Sequence, residues 1–176
     1  MQVKIIWTVN NTADTYTQFI LSVKDTLYRL ALSLVGSSAD AEDIVQDIYE
    51  RVWRARDKVL SEPYPRAYVC RMTRNLAIDR LRARKESVDQ DWGGYTDGYK
   101  EVAIRDMAQF TKLVIASLPE RQRVAIEMRD VEGYEIEEIA MILECDSSSV
   151  RMNISRARKK VREEVLKALS YGDKRH

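Results

Sequence analysis

Apolar residues recur at intervals of three and four along most of the chain, and this spacing predicts helices. The first stripe runs through residues 14–35, and Gly36 follows it as a natural C-terminal stop. A second stripe runs from Ala41 to Val52, and we expect the hydroxyl of Ser38 to cap its helix. The pattern therefore predicts two helices separated by a short turn.

The second predicted helix also carries an acidic and polar ridge beside its apolar stripe. The ridge consists of Asp43, Gln46, Asp47 and Glu50. Trp53 follows near the end of the helix and is a candidate for the inner side. The ridge is either a solvated helix face or a docking surface for a basic partner.

A third predicted helix follows a loop that contains two prolines, residues 58–65. Pro65 suits the first position of this helix, which we expect to cover 66–84. Its predicted inner side consists of Val69, Met72 and Leu76. Two tyrosines and an amide lie among its many basic residues: Tyr64, Tyr68, Arg71, Arg74 and Asn75. Cations interleaved with rings and amides suit single-stranded nucleic acid, although the tyrosines could equally be packing residues.

Residues 86–100 differ in character, because they hold several acids and glycines and no helical stripe. They are typical of a flexible linker. Helical spacing resumes in 102–117 and again in 119–133. The sequence therefore predicts two helical units joined by this linker.

Residues 134–165 predict two further helices joined by a tight turn. The first has apolar residues at helical spacing, namely Ile136, Ile139, Ala140 and Leu143. The pattern breaks at 145–146, and we expect Ser147 or Ser148 to cap the second helix. This arrangement is typical of a helix-turn-helix, whose second helix can lie in the DNA major groove.

The outer side of that second helix is strongly basic, and no acidic residue occurs within 147–162. Its basic residues are Arg151, Arg156, Arg158, Lys159, Lys160 and Arg162. Arginine can form two hydrogen bonds with a guanine edge, serine can bond several base edges, and further cations can neutralise phosphates. The alternative is a solvated surface helix, but charge of a single sign favours DNA binding.

The composition excludes several classes of function. The 176 residues suffice for one domain or two small ones, and the net charge of +1 means that basic charge is segregated rather than general. Two distant cysteines and one terminal histidine argue against a structural zinc site and favour a reduced, intracellular protein. The sequence carries no catalytic triad, metal-ligand spacing or phosphate-binding glycine loop, so we expect neither an enzyme nor a cofactor.

The N-terminal segment has no targeting signal that we can identify. No apolar run approaches the roughly 18 residues needed to span a bilayer, and residues 1–13 lack the cleavage site of a signal peptide. We expect these residues to form a weakly structured leader. The sequence therefore predicts a cytoplasmic protein without membrane insertion.

Two pairs of segments resemble the bacterial RNA polymerase sigma factors of the extracytoplasmic-function (ECF) type. DAEDIVQDIYERVW with PRAYVCRMTRNLAIDRLRARK is similar to region two, and LPERQRVAIEMRDVEGYEIEEIAMIL with SSSVRMNISRARKKVRE is similar to region four. Helix-turn-helix sequences of the second kind also occur in other regulators, but both pairs in this order across a short linker are specific. The resemblance covers about residues 27–169.

The resemblance implies an all-α protein made of two small helical domains, without catalysis of its own. Residues 1–13 would be the leader, 14–85 the region two domain, 86–100 the linker, 101–170 the region four domain and 171–176 a tail. Such a protein binds core RNA polymerase, through its clamp helices and flap, and promoter DNA in both double-stranded and single-stranded form. The resemblance also makes an anti-sigma factor an expected partner.

The resemblance further assigns roles to individual residues. It assigns polymerase binding to Asp43, Gln46, Asp47, Glu50 and Trp53. It assigns recognition and melting of the minus-ten element to Tyr64, Tyr68, Arg71, Arg74 and Asn75. The minus-thirty-five element would be read by Ser149, Arg151, Met152, Ser155 and Arg156, with Arg158 and Lys160 on phosphates.

A stand-alone helix-turn-helix regulator remains the main alternative, with an N-terminal unit that senses a ligand or dimerises. It explains residues 134–165 equally well. It gives no purpose to the acidic ridge or to the basic helix 66–84. Footprints without polymerase would favour this alternative, whereas co-purification with core polymerase would favour a sigma factor.

Overall fold

The computed structural model describes residues 3–87 and 107–173, and every regular element in these ranges is helical. The expected all-α fold is therefore confirmed. The chain divides into two compact units, Met1–Val88 and Asp89–His176. Most of the expected linker, residues 88–100, lies outside the described residues.

The helices α1, α2 and α4 of unit 1 pack against one another around a shared apolar core. Its helices are α1 (Val3–Val35), α2 (Ser38–Arg54), α3 (Arg56–Leu60) and α4 (Pro65–Ser87). α1 packs against both α2 and α4, and α2 also contacts α4. The centre of the core is fully buried and aliphatic, and its largest side chains are Leu27, Leu30, Ile44, Ile48 and Val52.

The boundaries in unit 1 differ from the expected ones at three places. α1 extends back to Val3, so the segment expected as a weakly structured leader is helical from that residue. The cap of α2 is Ser37 rather than Ser38, because the Ser37 side chain accepts a hydrogen bond from the Asp40 N–H. The short helix α3 occupies the first part of the expected loop.

The expected inner side of α4 is only partly correct. Val69 is fully buried, whereas Met72 and Leu76 are only partly buried. The deeply buried side chains are instead small or polar: Ala67, Cys70, Thr73, Arg74 and Ala77. Apolar spacing misses such a face because small side chains contribute little to it, although they allow α1 to approach α4 closely.

Unit 2 is organised around one long C-terminal helix. Its elements are α5 (Met107–Ala116), α6 (Glu120–Ile126), a π-helical turn (Glu127–Val131), α7 (Ile136–Leu143) and α8 (Ser147–Asp173). α5, α6 and α7 all pack against α8. The innermost residues are Val124, Met128, Ile139, Ile142, Leu143, Val150 and Ala157. Gly133 has a φ of 75°, which glycine adopts without strain between the π-helical turn and α7.

Candidate functional site

The turn between α7 and α8 fixes the start of the exposed basic helix. α7 ends at Leu143, and Glu144, which follows it, has a left-handed φ of 52°. Asp146 then caps α8, because its Oδ1 accepts the Ser149 N–H at 2.8 Å. The expected cap by Ser147 or Ser148 is therefore wrong. Asp146 directly precedes the first helical residue, Ser147, and from that position its carboxylate reaches the free N–H groups of the first turn.

Hydrogen bonds from two serines hold the Asp146 carboxylate in place. The Ser148 hydroxyl donates to Oδ1 at 2.5 Å and the Ser149 hydroxyl donates to Oδ2 at 2.8 Å. The Ser148 bond is the largest of several causes that hold the pKa of Asp146 far below its ordinary value of 3.8. The Ser149 hydroxyl is thus hydrogen-bonded within the turn, whereas we expected it to contact DNA directly.

Four of the residues expected to read DNA lie on the exposed face of α8: Arg151, Met152, Ser155 and Arg156. Met152 is 50% exposed, so its apolar side chain is accessible to a ligand on the same face. Within the described residues, Arg151 and Arg156 have no ion pair or hydrogen bond to another side chain. Their guanidinium groups are therefore available to a ligand.

The two residues expected on phosphates are engaged within unit 2. Arg158 donates two hydrogen bonds to Asp130, from Nε at 3.0 Å and from Nη2 at 2.5 Å. The Asp130 hydrogen bond is the main cause that raises the pKa of Arg158. Lys160 donates to Glu164 at 2.9 Å, and that bond raises the pKa of Lys160. These two cations are therefore partly neutralised before any DNA arrives.

A second candidate nucleic-acid face lies on α4 and the residue before it. Tyr64, Tyr68, Arg71 and Asn75 recur at helical spacing, so they share one side. Tyr64 is 43% exposed. The Arg71 guanidinium lies 5.0 Å from the centroid of the Tyr68 ring, which is a cation–π contact. This face offers rings, a cation and an amide to unpaired bases.

Arg74 is placed differently from the expected minus-ten contact. It is only 6% exposed, so most of its side chain lies within unit 1. Its Nη1 donates to the Asn75 Oδ1 at 3.3 Å. The Asn75 NH₂ has no hydrogen-bond partner among the described residues, and the contact with Arg74 restricts the orientation of the carboxamide.

Three of the four residues of the acidic ridge on α2 are exposed, and the fourth, Asp47, is partly buried. Asp43, Gln46 and Glu50 lie open to solvent, and Glu50 forms an ion pair with Arg54. Asp47 is held by Arg80 of α4 at 2.6 Å, so its charge is balanced within the unit. Sequence spacing could not show this pair, since the two residues lie on different helices.

Trp53 extends the same surface at the end of α2. It is 45% exposed and therefore does not belong to the inner stripe, where it was also a candidate. The Tyr16 ring meets it edge-on at 4.9 Å, and the Arg56 guanidinium lies over it at 4.9 Å. Both contacts restrict the indole, which makes it a preorganised apolar anchor beside the acidic ridge.

Two general features bear on other classes of function. Among the described helices, none combines the length and apolarity that a bilayer crossing requires. The same part of the chain holds no cluster of three or more His, Cys, Asp or Glu side chains that could hold a metal ion.

Comparison with protein families assigns both units. The model of sigma-70 region 2 matches residues 19–87, and the model of sigma-70 region 4 matches residues 112–161. These ranges lie in unit 1 and unit 2 respectively. They include the acidic ridge, the α4 face and the exposed face of α8.

Individual relatives agree with these models. The ECF RNA polymerase sigma factor SigE of Mycolicibacterium smegmatis is 32% identical over 81% of this chain and 58% of its own length. The ECF RNA polymerase sigma-E factor of Escherichia coli K12 is 31% identical over 73% of this chain and 75% of its own length. The chain thus spans little more than half the length of the first relative.

The fold also has a solved counterpart. The sigma factor RpoE of Bartonella quintana, solved in complex with the anti-sigma factor NepR, superimposes with a TM-score of 0.68. The match covers 87% of this chain and 97% of that one at 24% identity, so it supports the fold rather than individual residue roles.

Proposed function

This chain belongs to the ECF family of RNA polymerase sigma factors, and we propose that it binds core RNA polymerase and directs it to specific promoters. One observation carries the proposal: regions 2 and 4 occur in one chain, each in a separate helical unit with an exposed basic face. A stand-alone helix-turn-helix regulator needs no region 2. The proposed activity is recognition without catalysis, in the cytoplasm.

Unit 2 is the proposed reader of the duplex minus-thirty-five element. Arg151 and Arg156 lie on the exposed face of α8 beside Met152 and Ser155, and their guanidinium groups have no side-chain partner among the described residues. An arginine that bonds a guanine edge discriminates between bases by about 1–3 kcal/mol. Met152 supplies an apolar surface suited to a thymine methyl group.

Unit 1 is the proposed reader of the opened minus-ten element. Each extruded base costs a few kcal/mol of unpairing and unstacking. A stacking contact with a ring such as Tyr64 or Tyr68 returns about 1–3 kcal/mol, and Asn75 can bond an exposed base edge. The face therefore captures DNA that is already open, and Arg71 supplies charge to the adjacent backbone.

The acidic ridge and Trp53 are the proposed docking surface for the clamp helices of core polymerase, and unit 2 would meet the flap. Asp43 and Gln46 have no side-chain partner among the described residues, while Asp47 is paired with Arg80. Trp53 is the apolar anchor. Two weak DNA-binding units on one polymerase-bound chain then gain effective concentration for each other.

An anti-sigma protein is a further proposed partner. The solved relative RpoE is in complex with one, NepR. A protein whose docking surface and DNA-binding faces are all exposed can be inactivated by covering them. Co-purification of a specific inhibitory protein with the wild-type chain, lost on mutation of Trp53, would support this partner.

Run-off transcription with purified core RNA polymerase on genomic fragments tests the main proposal. We expect discrete transcripts that depend on the added protein and that disappear with Arg156→Ala, while polymerase binding persists. Binding of the protein to operators in the absence of polymerase, with no transcript on any fragment, would favour the stand-alone regulator.

A further inference from the structure

The exposed side of α2 differs in charge between its early turns and its late end. Asp43, Gln46, Glu50 and Trp53 follow one another at intervals of three and four residues, so they share one side of the helix. The early turns of this side are acidic. At the late end, the Arg56 guanidinium lies 4.9 Å from the centroid of the Trp53 ring in a cation–π contact. The proposed docking surface therefore also carries a cation, next to its apolar anchor.

Local contacts hold Arg56 in place without balancing its charge. Its Nη1 donates to the main-chain oxygen of Trp53 at 3.3 Å, and this bond together with the ring contact fixes the guanidinium. A guanidinium has five N–H groups, of which this bond uses one. Arg56 is partly buried and has no ion pair among the described side chains. Its charge is therefore available to an anionic group of a partner.

Two unpaired charges of opposite sign remain on this surface. Arg54 forms an ion pair with Glu50, and the partly buried acid of the ridge is paired with α4. The Asp43 carboxylate and the Arg56 guanidinium have no ion pair among the described side chains. The ten helical residues from Asp43 to Trp53 span roughly 15 Å, nearly twice the Debye length of about 8 Å at physiological ionic strength. The two charges therefore act on a partner separately.

We infer that the docking surface is bipolar: Arg56 meets a carboxylate of core RNA polymerase, while Asp43 meets a cation of the same polymerase surface. This inference rests on the proposed docking of α2, for which the resemblance assigned only the acidic ridge and Trp53. A partner with complementary charges at that separation fits in one orientation, because the reversed orientation brings like charges together. Arg56 therefore fixes the direction in which the polymerase surface lies across Trp53.

Three replacements of Arg56 separate its charge from its packing. Arg56→Lys keeps the charge, Arg56→Gln removes it and Arg56→Glu reverses it. Gln and Glu are nearly equal in size, and both lose the cation–π contact with Trp53. A difference in affinity between these two variants therefore reports the sign of the polymerase charge that faces Arg56.

Equilibrium competition measures these effects on the full chain. Unlabelled variants displace fluorescein-labelled wild-type protein from purified core RNA polymerase, and anisotropy reports the fraction that remains bound. Arg56→Gln should weaken binding about two- to fivefold, the range for loss of a solvent-accessible ion pair. Arg56→Glu should weaken binding about four- to twenty-five-fold, because a repulsion of the same size replaces the attraction. Arg56→Lys should bind more tightly than Arg56→Gln, since it retains the charge.

Lys58 provides the matched control. It lies in the same short helix, is exposed and has no ion pair among the described side chains. Lys58→Gln and Lys58→Glu should both bind with nearly wild-type affinity. The difference between Arg56→Glu and Arg56→Gln should narrow as salt rises from about 0.1 to 1 M, because the Debye length falls from about 10 to 3 Å. Thermal unfolding of each variant verifies that the fold is intact.

Equal affinities of Arg56→Gln and Arg56→Glu would overturn the inference. Tighter binding by Arg56→Glu would overturn it too, since a uniformly basic polymerase surface predicts that result. Equal weakening by Lys58→Glu would indicate a general effect of net charge and would also remove the role of Arg56. Wild-type protein that does not bind core polymerase removes the proposed docking together with the inference, whereas wild-type binding combined with any of the first three results removes the bipolar surface alone.

Discussion

Replacement of Asp130 by Asn should reveal what the ion pair across the helix-turn-helix contributes. Asp130 lies in the π-helical turn and accepts two hydrogen bonds from Arg158 of α8. The pair therefore connects the π-helical turn before α7 to α8, which carries the proposed DNA-reading face. Asn keeps the shape of Asp and removes its charge.

The size of the effect follows from geometry and exposure. The side chains of Arg158 and Asp130 are 53% and 35% exposed, so solvent screens much of their attraction. Exposed pairs contribute about 0.2–1 kcal/mol, and a bidentate pair belongs in the upper half of that range. For a unit of this size, about 0.5–1 kcal/mol corresponds to a decrease in melting temperature of roughly 2–8 °C.

The same replacement should strengthen non-specific duplex binding. It frees the Arg158 guanidinium and removes a carboxylate that would repel a phosphate beside Arg158. The slope of log affinity against log salt should become steeper by up to about 0.9 if Arg158 then meets one phosphate. Asp130→Asn is thus expected to change stability and DNA affinity in opposite directions.

Hydrogen exchange measured by mass spectrometry is suited to detecting the expected loss of stability, because it reports on each unit separately. The double-mutant cycle of Asp130→Asn with Arg158→Gln isolates the coupling energy. Glu163→Gln is the control for loss of one negative charge, since Glu163 reaches Lys159 only at 4.0 Å. A coupling energy of zero, or a duplex affinity no higher than that of Glu163→Gln, would refute this account of the pair.

Three other changes test the remaining assignments. Asp146→Ala should increase hydrogen exchange in the first turn of α8 at neutral pH. Hydrogen bonds, chiefly from Ser148, lower the pKa of Asp146, so the stabilisation by its carboxylate should be complete above the ordinary pKa of 3.8 and disappear only at more acidic pH. Equal exchange at pH 6 in both proteins would contradict the cap. Asp43→Lys should weaken binding to immobilised core polymerase without changing thermal unfolding, since this exposed carboxylate has no ion-pair partner among the described side chains; wild-type affinity would remove it from the docking surface. Arg156→Ala should cost about 1–3 kcal/mol in discrimination between the cognate minus-thirty-five element and a mutated one, and equal loss on both sequences would indicate a phosphate contact instead.

Local signals in the sequence predict most of the helices correctly. The glycine after α1, the proline at the start of α4 and the stripe of α7 each determine nearby backbone geometry. Cap positions are less predictable, because Ser37 and Ser38 are both good caps, as are Asp146 and the serines that follow it. The choice between such neighbours depends on where the preceding turn places the chain.

The surface roles depend on contacts between helices, which local spacing does not contain. The pairs Asp47–Arg80 and Asp130–Arg158 join residues 33 and 28 positions apart. Each pair changes the availability of a residue that the resemblance assigned to a partner. The buried side of α4 is a similar case, since its small residues give no apolar signal and Arg74 is polar.

These pairs also explain how a chain with a net charge of only +1 can present two basic faces. In α4 the C-terminal Arg80 and Arg84 pair with acids of α2, whereas Arg71 stacks on a tyrosine. In α8 the acids that pair with lysines lie in the later turns, whereas Arg151 and Arg156 near the start have no described partner. Both helices therefore have carboxylates close to several of their later cations, whereas Arg71, Arg151 and Arg156 form no ion pair among the described side chains. We therefore expect the internal ion pairs to limit binding to arbitrary DNA by the free chain.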